Sequence, residues 1–546
     1  MTFLKPNRSF RPTLHAETLA LLLSLWFTAV CNPLFWHAIF TERPLGQPGA
    51  WLFAGALAVL VTGLHFILLV LPLSRWTTKP LLTVLVLTTA FATYFMRKYY
   101  VYLDPEMLRN VLRTDTREAS ELFSADMLLP LLAYAALPLA LIWRTGIPRV
   151  SLPKATLRRV LSLGAAVVAI VASGFLIFQD LSSMMREKKE IRYLLTPGNY
   201  LVSLARTVGA DAGTAVHARA PVGTDAKLGG RWTQRKKPVL FVVFIGETAR
   251  AANWGLSGYP RQTTPQLAGL DVINFTDVTA CGTSTEVSLP CMFSHLGRNA
   301  YDEAKIRGSE SLPDVLKHAG LRVLWLDNQS GCKGICDGIE SWKPTAADFP
   351  KECKGSACLD EVLLGGMKKA VDGNQDNTVL ILHQLGNHGP AYGKRYPPEF
   401  RRFTPDCQSS DLGRCTQEEI VNAYDNALLY TDHVLAQTIA YLKSKQATHD
   451  TALIYVSDHG ESLGENGLYL HGVPYAIAPD VQKKVPMLLW LSPGFAASSG
   501  LRAECLRERA KRPASHDNLY HSTLGFLDVE TAVRNPAFDL TRECRS

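Results

Sequence analysis

The chain has 546 residues, 47% of them apolar, and 57 Lys and Arg against 49 Asp and Glu give it a formal charge of +8. That length exceeds one ordinary domain, and the apolar residues are unevenly spread: runs dominate up to about residue 180, after which the sequence reads as a soluble α/β chain. The asymmetry excludes a wholly soluble protein, and a positive charge this modest gives no reason to expect a nucleic-acid partner.

Five runs approach the roughly 20 apolar residues that cross a bilayer: Leu19–Phe40, Trp51–Leu73, Pro80–Phe95, Met127–Trp143 and Val160–Phe178. A cleavable signal peptide would leave one such run. Basic residues in the short loops set the orientation. Lys5, Arg8 and Arg11 precede the first run, Arg75 and Lys79 the third, and Arg144, Arg149, Lys154, Arg158 and Arg159 the fifth, which places those segments in the cytoplasm. The loop 97–126 also carries five basic residues, offset by acids. Five crossings from an internal N-terminus put everything after residue 180 outside. The expected domains are a transmembrane domain over 1–180 with an amphipathic external loop at 97–126, a flexible connector over 181–236, and an external catalytic domain over 237–546.

Cysteine usage points the same way. Ten of eleven cysteines lie beyond residue 280, in close pairs: Cys281 with Cys291, Cys332 with Cys336, Cys353 with Cys358, and Cys407 with Cys415, leaving Cys505 for Cys544. An even count in an exported domain reads as a disulfide framework, formed here in an oxidising periplasm. The repeated CxxC knuckles of a thiolate zinc site are missing.

The external domain begins with "VLFVVFIGE" (239–247), an apolar run typical of a central parallel strand. Further strands are expected at Arg322–Leu326, Thr378–His383, Thr451–Val456 and Pro486–Leu489, with helices such as Ser311–Ala319 and Glu418–Leu442 between them. The alternation implies a doubly wound, mostly parallel sheet, whose ligands sit beyond the carboxyl ends of the strands. Those ends carry Glu247, His388 in "QLGNHGP", the adjacent Asp458 and His459, and His471 in "YLHG". Thr283, Ser284 and Thr285 lie in the loop between Cys281 and Cys291. Carboxylate and imidazole together suit zinc, and a hydroxyl bound to zinc becomes a nucleophile. Taken singly, Glu247 is as well read as a helix N-terminal acid, Asp458 as a turn cap and Thr285 as an N-cap. Their coincidence at one sheet edge carries the argument.

The stretches "GETARAANWGLSGYPRQTTP" (246–265), "CGTSTEVSLPCMFS" (281–294), "NHGP" (387–390) and "SDHGESLGENGLYLHG" (457–472) resemble the lipid A phosphoethanolamine transferases, the mobile colistin-resistance enzymes among them, of the alkaline phosphatase and sulfatase superfamily. The resemblance runs from the membrane segments to "SHDNLYHSTLGF" (515–526). It implies that Glu247, Thr285, Asp458 and His459 hold one zinc ion, that Thr285 is the nucleophile, and that His388 and His471 face the phosphoethanolamine group or hold a second zinc. It implies that Asn110, Thr114 and Glu118 of "NVLRTDTREA" bind the donor headgroup, with Ser330 and Lys333 of "NQSGCKG" opposite. Four-residue spacing puts the first three on one helical face, although an interfacial amphipathic helix would show the same spacing. The implied activity moves phosphoethanolamine from phosphatidylethanolamine to lipid A through a phosphothreonine, in a monomeric enzyme of the bacterial inner membrane. A sulfatase would need C/S-x-P-x-R, which "SLPCMFS" does not supply. The paired cysteines argue against a glycerol-phosphate polymerase, and the full ligand set against a non-catalytic sensor. A core sugar or other glycan remains the alternative acceptor.

Overall fold

The computed structural model describes residues 12–114, 116–214, 219–354 and 357–545. The chain forms two compact units, Met1–Leu108 with Ala125–Thr207, and Arg109–Ser124 with Val208–Ser546.

In the first unit, Ala50–Val70, Thr78–Tyr99, Ala125–Arg144 and Leu152–Leu176 are long and apolar enough to cross a membrane. The first expected span is not one straight helix. It is broken into Ala16–Val30 and Pro33–Glu42, bent by 55°, so the spans number four, or five if the bent pair counts as one. Pro33 explains the break, because its ring lacks the amide and clashes with the preceding turn. Asn32 satisfies the freed backbone: its side-chain amide donates to the carbonyls of Phe27 (2.7 Å) and Thr196 (2.8 Å), and its carbonyl accepts from the Thr196 amide (2.7 Å). Small residues allow close packing: a Cβ on Gly63 would fall 2.7 Å from Cγ1 of Ile170. Residues 181–236, expected as a flexible connector, contain most of the helices Phe178–Glu187 and Gly198–Thr214. Tyr200 drives the second into order by burying its ring in a cluster with Phe35, Ile39 and Met96.

The second unit is built on a seven-stranded sheet. In chain order its strands are β1 (Val239–Gly246), β2 (Ile273–Phe275), β3 (Arg322–Asp327), β4 (Glu340–Trp342), β5 (Thr378–His383), β6 (Asp450–Ser457) and β7 (Met487–Leu491). Spatially they run β2-β7-β6-β1-β5-β3-β4. Strand β1 is apolar throughout because both faces are covered. Val239, Phe241, Val243 and Ile245 enter one core, while Leu240, Val242 and Phe244 enter another.

The sheet is mixed. β6, β1, β5, β3 and β4 pair in parallel, but β7 is antiparallel to β6 and β2 is antiparallel to β7. The reason lies in the connection after β6, which turns back across the carboxyl edge without the full crossover that a parallel partner requires. The three-residue strands β2 and β4 are too short to show a period in sequence. Between strands, the Gln417–Ser444 helix opens on a capping box of Thr416 and Glu419, and the Leu312–His318 helix on one of Ser311 and Asp314.

Disulfides join Cys281 to Cys291, Cys332 to Cys336, Cys353 to Cys358, Cys407 to Cys415 and Cys505 to Cys544, and Cys31 is a buried free thiol.

Candidate active site

Glu247 follows β1, and Asp458 and His459 follow β6, its parallel neighbour, so the sheet alone sets the three side by side. Ligand atoms of Glu247, Asp458 and His459 lie within 4.8 Å of one another, and all three residues are fully buried. Thr285 begins the Thr285–Met292 helix. Its hydroxyl donates toward Glu247 Oε1 (3.2 Å) and Oε2 (3.1 Å) and lies 3.4 Å from His459 Nε2. Of Thr283, Ser284 and Thr285, the last is the one that meets the carboxylate and imidazole. Thr283 instead donates to the Val473 carbonyl (2.7 Å), and Ser284 is the residue before the helix.

The backbone here is strained to make the geometry. Thr248 has φ 60°, a left-handed conformation that a β-branched residue rarely adopts. In return its amide donates to Asp458 Oδ1 (3.1 Å) and its hydroxyl to Glu247 Oε1 (2.6 Å), while Tyr424 donates to its carbonyl (2.6 Å).

Electrostatics suit the cluster to a cation. Burial, reinforced by the charge of Glu247, pushes the Asp458 carboxyl up to about 6. Burial opposes the charge on His459, but Asp458 and Glu247 outweigh it and carry the imidazole to about 10. Burial would likewise raise Glu247, and the hydrogen bond and charge of His459 hold it well below the usual carboxylate range. Asp458 Oδ2 is buried, accepts no hydrogen bond and lies 3.4 Å from His459 Nε2. Glu247, Asp458 and His459 are the residues that would hold a metal ion, which would pair the two carboxylates and replace the proton on His459 Nε2. The His459 ring is already oriented for this, with Nδ1 2.9 Å from the Gly460 carbonyl. A second group that could hold a metal, Cys332, Cys336 and Asp337, has its thiols consumed by a disulfide.

His388 and His471 flank the cluster. Their ring centroids are 5.5 Å apart, and the His471 ring is 4.4 Å from that of His459. Ser330 and Lys333 lie together, with Lys333 Nζ donating to Ser330 Oγ (2.7 Å).

The continuous face expected for Asn110, Thr114 and Glu118 is broken. One helix spans Pro105–Arg113 and another Thr116–Glu121, and the Thr114 hydroxyl turns back to the Asn110 carbonyl (2.7 Å). The Thr114 hydroxyl thereby competes with the helix for its own backbone bonds. The side chain of Glu118 lies outside the described residues.

Sequence reasoning missed several contributors. Gln329 donates to Glu247 Oε2 (2.8 Å), and the fully buried Glu461 lies 3.2 Å from His471 Nδ1. Ser288 donates to the Asp458 carbonyl, and His516 accepts from the Cys281 amide (3.0 Å) and reaches the Ser457 carbonyl (2.9 Å). Glu461 is visible in "DHGES"; nothing local marks Gln329 or His516.

Two family models match: "Phosphoethanolamine transferase EptA/EptB" over residues 61–212 and "Sulfatase" over residues 240–529. Phosphoethanolamine transferase EptA of Escherichia coli K12 is 37% identical over 98% of both chains. Phosphatidylethanolamine transferase Mcr-2 of Escherichia coli is 35% identical over 88% of this chain and 91% of its own. Among solved structures, the integral membrane lipooligosaccharide phosphoethanolamine transferase A of Neisseria meningitidis superposes with a TM-score of 0.91 at 33% identity, covering 98% of this chain and all of that one. The chain belongs to the phosphoethanolamine transferase family and joins that family's membrane helices to a sulfatase-type α/β domain.

Proposed function

We propose that the protein transfers phosphoethanolamine from phosphatidylethanolamine to a phosphate of lipid A, with Thr285 as the nucleophile. The observation that carries this reading is the Thr285 hydroxyl, placed 3.1–3.4 Å from Glu247 and His459 at the start of a buried helix. A zinc ion held by Glu247, Thr285, Asp458 and His459 would lower the pKa of that hydroxyl and withdraw charge from the phosphoryl oxygens.

The chain's own residues supply the rest. Thr285 Oγ bonds to the donor phosphorus as the bond to the diacylglycerol oxygen breaks, leaving a phosphothreonine. His388, His471 and Lys333 stabilise the charge on the phosphoryl oxygens, helped by the N-terminal end of the Thr285–Met292 helix. Glu461 fixes the ring of His471. An oxygen of the lipid A phosphate then attacks the same phosphorus, and Thr285 leaves. Asn110, Thr114, Glu118 and Ser330 serve the donor headgroup. Added ethanolamine lowers the negative charge of the outer membrane, which confers resistance to polymyxins such as colistin. An inner-membrane enzyme with its catalytic domain in the periplasm meets both lipids in two dimensions, and it needs no second copy to complete the site.

Mass spectrometry of lipid A from cells with and without the protein tests the reading. A gain of one phosphoethanolamine unit supports it, and identical spectra remove it.

A further inference from the structure

The chain between the helices Thr78–Tyr99 and Ala125–Arg144 does not stay with them: Arg109–Ser124 belongs to the second unit. Arg109 and Arg113 stand four apart and so share one face of the Pro105–Arg113 helix. Arg109 pairs with Glu303, and Arg113 donates to Glu286 Oε1 (2.7 Å). From the next helix, Glu121 accepts from Arg395 and lies 3.8 Å from Lys394 Nζ.

These contacts end beside the reacting groups. Glu286 is fully buried and directly follows Thr285. Arg307 donates to its carboxylate (2.8 Å) and its carbonyl (2.6 Å), and a third bond takes Arg307 to Glu303 (3.1 Å). Charges therefore alternate from Arg109 through Glu303, Arg307 and Glu286 to Arg113, and the residue after the nucleophile is held at main chain and side chain alike. On the other side, the buried Arg395 donates from Nε to the His388 carbonyl (2.6 Å) and from a terminal nitrogen to Glu121. A planar guanidinium held at both ends fixes direction as well as distance. Buried charges are costly unless paired, and Arg109, Glu286 and Arg395 are all buried. Ion pairs that served only to fasten the segment could sit anywhere on the second unit; these reach the neighbour of Thr285 and the backbone of His388.

We infer that Arg113 and Glu121 are positioning residues, which act through Glu286 and Arg395 to hold Thr285 and His388 in line for the attack on the donor phosphorus. The inference rests on the transfer reading above and names what keeps its nucleophile and one of its histidines in place. Asn110, Thr114 and Glu118 lie on the same segment, so one piece of chain carries both the groups proposed for the headgroup and the groups that aim the nucleophile.

Single-turnover loading tests this, using purified full-length enzyme and phosphatidylethanolamine in mixed micelles, with the mass of the phosphoethanolamine–enzyme adduct followed in time. A reacting group displaced by about 1 Å loses about a hundredfold in rate. Arg113→Gln and Glu121→Gln should each lower the loading rate at saturating donor by at least about tenfold, while the half-saturating donor concentration and the bound zinc stay at wild-type values. Arg113→Lys, which keeps the charge, should recover most of the rate. Glu121→Gln combined with Arg395→Lys should be no slower than the slower of the two alone, because both interrupt one chain of contacts; multiplied losses would overturn that link. The Arg113 side chain is partly exposed, so the Arg113 variants decide the matter if Arg395→Lys misfolds. Loading at the wild-type rate in Arg113→Gln and Glu121→Gln overturns the inference. So does a raised half-saturating concentration at an unchanged rate, which would leave the segment a donor-binding role alone, and so does a loss of rate that only follows a loss of zinc. Should wild-type enzyme transfer without ever forming the adduct, the two-step reading fails and this inference with it; unchanged variants beside a wild type that loads remove this inference alone.

Discussion

Asp458 and Asp432 are both fully buried, and burial pushes both carboxyls up to about 6. Their surroundings differ in one respect. Asp432, on the Gln417–Ser444 helix, accepts the Leu267 amide at Oδ1 (2.8 Å) and the Gln266 amide at Oδ2 (2.9 Å), so each oxygen is satisfied. Asp458 accepts two amides at Oδ1, from Thr248 (3.1 Å) and His459 (2.7 Å), and none at Oδ2, with a second carboxylate beside it. A perturbed pKa therefore does not separate a structural acid from a functional one. What sets Asp458 apart is an oxygen that accepts no hydrogen bond, lies 3.4 Å from His459 Nε2 and sits beside a second carboxylate, an arrangement that a cation would complete.

The strongest way to break this contrast acts on the group that the orphaned site is proposed to activate. Thr285→Ala should reduce transfer to lipid A by more than about a thousandfold with an unchanged melting temperature, and purified wild type should carry phosphoethanolamine on Thr285. Near-normal lipid A modification by the variant would end the nucleophile assignment.

The second test sets the two aspartates against each other. Asp458→Asn should lose bound zinc and activity while the metal-free protein melts no lower than the metal-free wild type, since a disfavoured charge has been removed. Asp432→Asn should keep zinc and activity but lose about 1–3 kcal/mol, because its amide faces one of the two backbone donors. Zinc analysis and denaturant midpoints decide; loss of zinc in the Asp432 variant would dissolve the distinction.

Disulfides contribute at a similar scale. A closed loop of about 15 residues is worth roughly 3 kcal/mol in the chain-entropy model and shorter loops less, so removing Cys281–Cys291, with a separation of 10, should cost somewhat under that. Peptide mapping without reductant should recover the pair, and free thiols at both positions in active enzyme would contradict it.

The smallest effect is a pH slope. The Asp432 carboxyl titrates at about 6 when folded, above the 3.8 of an unperturbed aspartate. A raised acid pKa means that the folded state holds its proton more tightly, so this residue's contribution to stability falls as pH rises from about 4 to about 6 and is constant above. Comparing the stability of wild type and Asp432→Asn across that window should show the wild type declining relative to the variant. A constant difference would mean that the carboxyl is not perturbed.

Much of this was legible in sequence because the signals are local. Apolar runs report spans, since a lipid-crossing helix must be apolar along its length, and four of the five cysteine pairs lie within ten residues of each other. The cluster Glu247, Asp458 and His459 was legible because each follows a buried parallel strand, and parallel register carries strand ends to one edge. What the chain order could not express, tertiary structure decided. The turn-back after β6 made the sheet mixed. Pro33 and Asn32 broke a span that hydropathy reads as continuous, and a break after Arg113 divided a helix that four-residue spacing joined. Gln329 reaches Glu247 across 82 residues. Sequence declares what a residue can do within its own turn or strand; which distant groups share its surroundings is fixed only when the sheet brings them together.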